Sequence, residues 1–454
     1  MTKARGTVGM LAVAAIVAAL WVGRARTAPA GENAPPPRST GKAGMTEPVF
    51  VGTASCSGRA CHGGIDGDGP KGQEFHVWAR LDHHARAFEV LRNDRSRGIE
   101  KRLHPDKKTV ATEDNLCLAC HLGPKKSGPA DEADAVAPLT GVGCESCHGA
   151  AGNWLEPHTS PGWKTKPAEQ KAALGMQPLA RVVDRVEACA RCHVGDDSRE
   201  VDHDLIAAGH PRLNFEFAAF QDDMPRHWKE THSEAESWSI GQVATARAAL
   251  ELLDHRTRRA QENQDQQRWP EFTEIDCFAC HHDLHKDGAA RQRRFVGVLG
   301  GRRPGAFPWG SWYFSIPRTL DGPKDLAPAL DELAATMGRT RPEPAEVQRL
   351  TKRAIGSLDA WRKTLEASPP TDKKAGAWVA ELLKKEPSLA ASNWDSAAQL
   401  YLALAALGRD DRDREALARL MRALEFPKGT DSPGDFRAGN DVNEAIQALG
   451  AGRD

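Results

Sequence analysis

Residues 144–148 read Cys-Glu-Ser-Cys-His, a pair of cysteines followed at once by a histidine. The same spacing recurs in three further segments, and a fifth segment keeps the histidine but has four residues between its cysteines. The cysteine pairs are Cys56/Cys61, Cys117/Cys120, Cys144/Cys147, Cys189/Cys192 and Cys277/Cys280, and the histidines that follow them are His62, His121, His148, His193 and His281. The pattern accounts for all 10 cysteines, so every cysteine belongs to a pair with its own histidine.

A thiol pair of this spacing with a histidine directly after it is typical of a c-type haem attachment site. The two sulfurs add across the vinyl groups of the haem, and the adjacent histidine lies against the iron as its proximal ligand. We therefore predict five covalently attached haem c groups with their iron. The wider spacing of Cys56 and Cys61 is compatible with this chemistry because His62 keeps its place after the second cysteine.

Zinc sites, redox dithiols and disulfides explain the pattern less well. A structural zinc site combines two cysteine pairs, or one pair with two histidines, and five pairs cannot all combine by twos. Dithiol exchange uses one reactive pair. A disulfide framework does not need a histidine after every second cysteine.

The remaining histidines are candidates for the second axial position of each iron. The chain has 17 histidines, and all of them lie between residues 62 and 285. A second imidazole gives a six-coordinate, low-spin iron suited to electron transfer, whereas a missing one leaves an open site for a small molecule. For each additional histidine, a ligand role and a surface or propionate-contacting role are both open.

Composition excludes several other classes of protein. The chain has 454 residues, which is enough for two or three domains, and its formal net charge is -1. A charge near zero does not indicate a nucleic-acid-binding protein or a polybasic membrane-surface protein.

The N-terminus predicts export. Lys3 and Arg5 precede an apolar run over residues 8–22, which is the layout of a secretory signal. Arg24 and Arg26 after the run are unusual for a cleaved signal, so an uncleaved membrane anchor is the alternative. Either interpretation places the rest of the chain in the periplasm or otherwise outside the cytoplasm.

Composition shifts divide the chain into five segments. The expected segments are a signal peptide or anchor (1–28), a flexible linker rich in Pro and Gly (29–48), a pentahaem cytochrome c domain (49–287), a connector (288–324) and a helical domain (325–454). The last segment contains neither Cys nor His, so it lacks the usual haem ligands.

Apolar spacing predicts a mainly α fold with extensive loops, in which a multihaem cytochrome c domain is followed by a small haem-free helical bundle. One longer helix is expected in the haem region near residues 240–255. Five amphipathic helices are expected after it, near 326–337, 347–365, 375–383, 396–407 and 414–424.

Part of the chain resembles a known family. The segment Leu139–Gly149, which contains the third motif, resembles the third haem motif of the cytochrome c-554 family, whose members are multihaem carriers linked to nitrogen oxidation. Trp78 followed by residues 83–87 (His-His-Ala-Arg-Ala) is similar to the family's segment after its first haem. His158 lies where the family has a histidine after the third motif. The order of the first four motifs agrees, and the resemblance covers about residues 50–200.

The resemblance implies compact haem packing, with neighbouring haems close enough for rapid electron transfer. It implies that His84 and His158 are distal ligands, to the third and first haems respectively, although His83 fits the spacing from the tryptophan equally well. In the family the second haem is five-coordinate. The haem on the motif that ends at His121 is therefore the expected open site.

The chain also departs from the family through a fifth motif, which ends at His281, and through the helical region after it. His203 and His210 are seven residues apart and would share one face of a helix. We predict that they are distal ligands of the fourth and fifth haems. His227 and His255 are the next candidates for this role.

These observations favour an exported electron carrier with redox partner proteins as donor and acceptor. The alternative is a multihaem oxidoreductase acting on a small nitrogen or sulfur oxide at a five-coordinate haem. No motif replaces its histidine with lysine, and the first tyrosine of the chain is Tyr313, so two known enzyme designs are disfavoured. A scaffold or sensor role, with the tail docking a partner, is a third hypothesis.

Overall fold

The computed structural model describes nine stretches of the chain. They are residues 48–64, 72–106, 110–124, 141–262, 269–277, 307–390, 394–408, 413–425 and 440–450. The predicted signal or anchor and nearly all of the predicted linker lie outside these residues, as do Cys280 and His281 of the fifth motif.

The described residues form α-helices, short 3-10 turns and loops, which confirms the mainly α prediction. One isolated antiparallel bridge joins Ile275 and Trp309. The haem region contains α1 (Glu74–Leu81), α2 (Asp94–Leu103), α3 (Asn115–His121), α4 (Cys144–His148), α5 (Ala168–Ala172), α6 (Val182–His193), α7 (His203–Ala207), α8 (Phe217–Asp223) and α9 (Glu234–Glu262). Among the described helices, none has the length and apolar character needed to span a bilayer.

The region after the connector is helical as expected. Its helices are α10 (Ser315–Thr319), α11 (Leu326–Met337), α12 (Pro344–Ala367), α13 (Asp372–Ala390), α14 (Trp394–Leu407), α15 (Arg414–Leu424) and α16 (Asn440–Gly450). The five predicted helices correspond to α11–α15. The short α10 and the last helix, α16, were not expected from the apolar spacing.

Helix α9 extends beyond the predicted 240–255 at both ends. All residues from Ser237 to Ala246, nearly three turns, are buried, so this part of the helix has no polar face. At Gly241 an added Cβ would lie 3.0 Å from the Cβ of Phe217. This glycine therefore allows α8 to pack closely against α9.

One hydrophobic core runs from the haem region into the helical region. Val186 of α6 and Leu250 of α9 belong to the same buried cluster as Leu350 and Leu358 of α12. The core is thus continuous across position 325, and the helices of the tail pack on the long helix of the haem region.

In the rest of the haem region, the described residues form only small apolar clusters. One is formed by Phe88, Leu91 and Ala111, and two others contain three buried residues each. Clusters of this size bury little apolar area for so long a stretch of chain. This is the arrangement expected where bound cofactors supply much of the core.

Candidate haem-binding site

Three motif helices end at the histidine of their motif. Helices α3, α4 and α6 have His121, His148 and His193 as their last residues. Asp114 caps α3 by accepting a hydrogen bond from the N–H of Leu116 at 2.8 Å. Each of these three motifs therefore forms one or more helical turns, with its cysteines along the turn and its imidazole at the end.

The motifs approach each other in two pairs. The thiol of Cys56 in the first motif lies close enough to that of Cys144 in the third to shift its pKa, and the same holds for Cys120 of the second and Cys192 of the fourth. None of the nine described cysteines forms a disulfide. The attachment points of motifs one and three, and of motifs two and four, are thus side by side.

A buried carboxylate holds the first and third motifs together. Glu145, between the cysteines of the third motif, accepts hydrogen bonds from the N–H groups of Val51 (3.1 Å), Gly52 (2.8 Å) and Ala151 (2.8 Å). It is 5% exposed. These three hydrogen bonds compensate for the burial of the carboxylate. They also fix the position of the segment that leads into the first motif.

Each of the four described proximal histidines faces a second histidine. The ring centres are separated by 6.0–6.4 Å in every pair. The pairs are His62/His158 at 6.2 Å, His84/His193 at 6.0 Å, His121/His210 at 6.4 Å and His148/His227 at 6.3 Å.

This separation fits two imidazoles on opposite sides of one metal ion. A metal–imidazole bond is about 2.0 Å long and a ring nitrogen lies about 1.1 Å from the ring centre, so the two centres would be about 6.2 Å apart. The angle between the ring planes ranges from 12° to 88°. Such variation is compatible with axial ligation, because each ring can rotate about its metal–nitrogen bond without losing it.

Hydrogen bonds leave Nε2 of these rings available. In five of the eight histidines Nδ1 donates to a carboxylate or a backbone carbonyl, which leaves Nε2 as the ring nitrogen available to a metal. The donors and acceptors are His62 to Glu74 (3.1 Å), His84 to Asp82 (2.8 Å), His121 to the Ala87 carbonyl (2.8 Å), His210 to the Pro211 carbonyl (2.8 Å) and His158 to the Leu155 carbonyl.

Burial keeps several of the rings neutral. Desolvation lowers the pKa of His148 and of His193 to about 4, and it also lowers the pKa of His210 and His227. His84 differs, because its hydrogen bond to the Asp82 carboxylate raises its pKa. A neutral imidazole is the form that binds a metal, so buried rings at this spacing are suited to haem iron.

The positions of the predicted distal histidines agree only partly with expectation. His158 faces the histidine of the first motif, as expected. His84 faces His193 of the fourth motif instead of the third motif's histidine. His210 faces His121, so in this chain a histidine lies where the family has an open second haem.

His227, a further candidate ligand in the sequence analysis, faces His148, the histidine of the third motif. No local pattern in the sequence indicates that His148 and His227 face each other, because two residues so far apart in the chain are brought together only by folding. His203 lies near the chain that leads to the fifth motif. Its N–H donates to Glu271 at 2.9 Å, and its ring is 5.6 Å from that of Phe272.

Other histidines have their Nε2 engaged. His232 uses both ring nitrogens, one with Glu236 at 2.9 Å and the other with the Ala180 carbonyl at 2.7 Å. In His76, Nε2 donates to the Gly63 carbonyl at 3.1 Å. These two rings are therefore poorly placed to bind iron.

Comparison with known proteins supports the family assignment. The family described as cytochrome c554 and c-prime matches residues 55–149. Cytochrome c-554 of Nitrosomonas europaea is 30% identical over 115 residues, which is 24% of this chain and 48% of that protein. The chain thus covers about half the length of the curated relative that it matches. No solved structure matches it. The matched segment is that of a c-type cytochrome, a class that carries covalent haem c and transfers electrons.

Proposed function

We propose that this protein is an exported c-type cytochrome that binds five covalent haems and transfers electrons between redox partner proteins. The observation that carries the proposal is the set of four facing imidazole pairs, each containing the histidine of one motif. Bound haem iron supplies one-electron chemistry by cycling between two oxidation states.

The chain's contribution is to ligate the iron from both sides and to fix the ligands. Two imidazoles per iron favour a low-spin centre whose geometry changes little with oxidation state, and Nδ1 hydrogen bonds tune its potential. The sulfur contacts between motifs one and three and between motifs two and four support close haem neighbours. This arrangement suits electron transfer better than substrate turnover at an open iron.

For the fifth haem we assign Cys277, Cys280 and His281 as the attachment site and His203 as the distal ligand. Cys277 lies at the end of a described stretch that begins with Trp269. The contacts of His203 with Glu271 and Phe272 place its ring beside that stretch. The proposal thus uses every cysteine pair and one additional histidine for each iron.

Export to the periplasm and residues 1–28 as signal or anchor belong to the same proposal. Export is supported by the apolar N-terminal run and by the fact that c-type cytochromes mature outside the cytoplasm. The proposed segments are a haem domain over 49–287, a connector over 288–324 and a helical domain over 325–454. The continuous core suggests that the last segment stabilises the haem region directly.

The test is an iron and haem count combined with low-temperature electron paramagnetic resonance of the oxidised protein. We expect five covalent haems, all low-spin, with no change on adding nitrite or nitric oxide. Fewer than five haems would overturn the assignment of the motifs. A high-spin signal that shifts with nitrite would overturn the carrier function and favour an oxidoreductase.

A further inference from the structure

Three ligand-type side chains meet where α2 ends and α3 begins, outside the four imidazole pairs. Glu100 lies in the last turn of α2, His104 caps its C-terminus and Asp114 caps the N-terminus of α3. One ligand atom from each of the three lies within 4.8 Å of the others. This cluster contains one imidazole nitrogen and two carboxylates.

Glu100 is the unusual member of the cluster. It is 4% exposed, and neither of its carboxylate oxygens has a hydrogen-bond partner. Nε2 of His104 lies 3.9 Å from its Oε1, which is beyond hydrogen-bond range. A buried carboxylate without hydrogen bonds is costly unless a cation compensates its charge.

The other two groups are already oriented toward the same point. Oδ1 of Asp114 accepts from the Leu116 N–H, and Oδ2 accepts a hydrogen bond from Nε2 of His104 at 3.1 Å. A metal ion entering the cluster would replace the proton of this bond, which is released to solvent. His104 is held by the hydrogen bond of its N–H to the Glu100 carbonyl at 2.9 Å. In a tetrahedral site with metal–ligand bonds of about 2.0–2.1 Å, neighbouring ligand atoms are about 3.3 Å apart.

We propose that Glu100, His104 and Asp114 form a site for a divalent transition-metal ion such as Zn²⁺, separate from the haem irons. Two carboxylates and one neutral imidazole match the charge and the mixed nitrogen and oxygen preference of Zn²⁺. Ca²⁺ and Mg²⁺ prefer oxygen ligands throughout, so the imidazole disfavours them. The side chain of His104 is 30% exposed, which gives the ion a path from solvent and room for a water as the fourth ligand.

The site lies next to the second haem motif. Before haem attachment, burial and the negative charges of Asp114 and Glu100 raise the pKa of the Cys117 thiol to about 11. A dication bound between the carboxylates would offset this negative field at the attachment point of the second haem. Metal binding is therefore expected to raise the reduction potential of one haem.

The test uses the full-length, haem-loaded protein after removal of loosely bound metal with EDTA. Zinc chloride is added in competition with a chromophoric chelator, and bound zinc is measured relative to haem iron by elemental analysis. We expect one zinc per chain in the native protein and at least a tenfold weaker affinity in Glu100→Gln and His104→Asn. A zinc-dependent rise of one haem potential is expected in the native protein alone.

The matched control is His232→Asn. His232 pairs with Glu236 at the same four-residue spacing as Glu100 and His104, but both of its ring nitrogens are hydrogen-bonded. The His232→Asn variant should bind zinc with the affinity of the native protein. All three variants should retain the native haem absorption spectrum. The proposal is wrong if the native chain binds no zinc, or if Glu100→Gln and His104→Asn bind it as tightly as the control. In that case the three side chains form a polar cluster that holds no metal.

Discussion

The rings of His121 and His210 have centres 6.4 Å apart and planes that cross at 86°. Nδ1 of His121 donates to the Ala87 carbonyl and Nδ1 of His210 to the Pro211 carbonyl, so both Nε2 atoms are free to ligate. The arrangement matters because the second haem of the cytochrome c-554 family is the five-coordinate one. In this chain the corresponding iron would have two imidazoles.

Replacing His210 with Ala should therefore open the second iron. We expect a new high-spin ferric signal, corresponding to one haem, in the electron paramagnetic resonance spectrum of the oxidised protein. His232→Ala is the control, since that ring is held by other hydrogen bonds and should leave the spectrum unchanged. An unchanged low-spin spectrum in the His210 variant would show that another group ligates this iron.

Asp82 should lower the potential of the haem to which His84 is the proposed distal ligand. Its Oδ1 accepts the Nδ1 proton of His84 at 2.8 Å, which makes the imidazole a stronger donor and stabilises ferric iron. Asp82→Asn weakens this bond. A loss of about 1 kcal/mol corresponds to a rise of roughly 40 mV for one electron. A redox titration measures it, with the exposed Asp94→Asn as a control for lost charge. Equal shifts in the two variants would argue against the hydrogen bond as the cause.

The buried ion pair of Arg212 and Asp395 should stabilise the junction between the two regions. The guanidinium contacts both carboxylate oxygens, at 2.8 and 2.7 Å, and Asp395 is 4% exposed. Asp395→Ala leaves the cation unpaired and should cost about 3 kcal/mol in the free energy of unfolding, measured by denaturant titration. Glu346→Gln breaks the more exposed pair with Arg339 and should cost less than about 1 kcal/mol. Similar losses in both would mean that burial of the pair is unimportant.

Removing the helical region should destabilise the haem region itself. Truncation after Asp325 deletes Leu350 and Leu358, which share a core with α6 and α9, and exposes that core to water. The less drastic substitution Leu358→Ala should lower the free energy of unfolding by about 2–5 kcal/mol. It should also lower the melting temperature, which is followed by haem absorbance. A truncated protein with native haem absorbance and an unchanged melting temperature would show that the region is an independent domain.

Glu230 should contribute to acid stability. Burial opposes its ionised form, but hydrogen bonds from Arg185, Trp228 and nearby N–H groups outweigh this and lower its pKa to about 2. A depressed folded-state pKa gives stability that is complete above the unfolded value of about 4.3 and is lost as the pH falls toward 2. Glu230→Gln should therefore be less stable at pH 7, with a shallower loss between pH 4.5 and 2. Unfolding midpoints across this range measure the effect. The exposed Glu89→Gln should keep the native slope, and a native slope in Glu230→Gln would contradict the assignment.

The sequence by itself determined the chemistry of the motifs. Covalent attachment needs only two thiols and a histidine within one or two helical turns, so segments such as Cys144–His148 can be recognised without knowing the fold. The helices of the tail were also largely predictable, because their apolar faces repeat at helical spacing, as in α11 and α15. The full length of α9 was not, and its segment from Ser237 to Ala246 is buried on all sides and lacks the contrast between polar and apolar faces.

Tertiary structure alone decided which histidines face each other. His84 and His193, or His148 and His227, come from distant parts of the chain, and local spacing does not determine which loops meet across a haem-sized gap. The same holds for the cluster of Glu100, His104 and Asp114, where the last residue joins the other two only because two helix ends are packed together. Local motifs are defined by covalent geometry, whereas axial pairs and the shared core depend on which surfaces fold against each other.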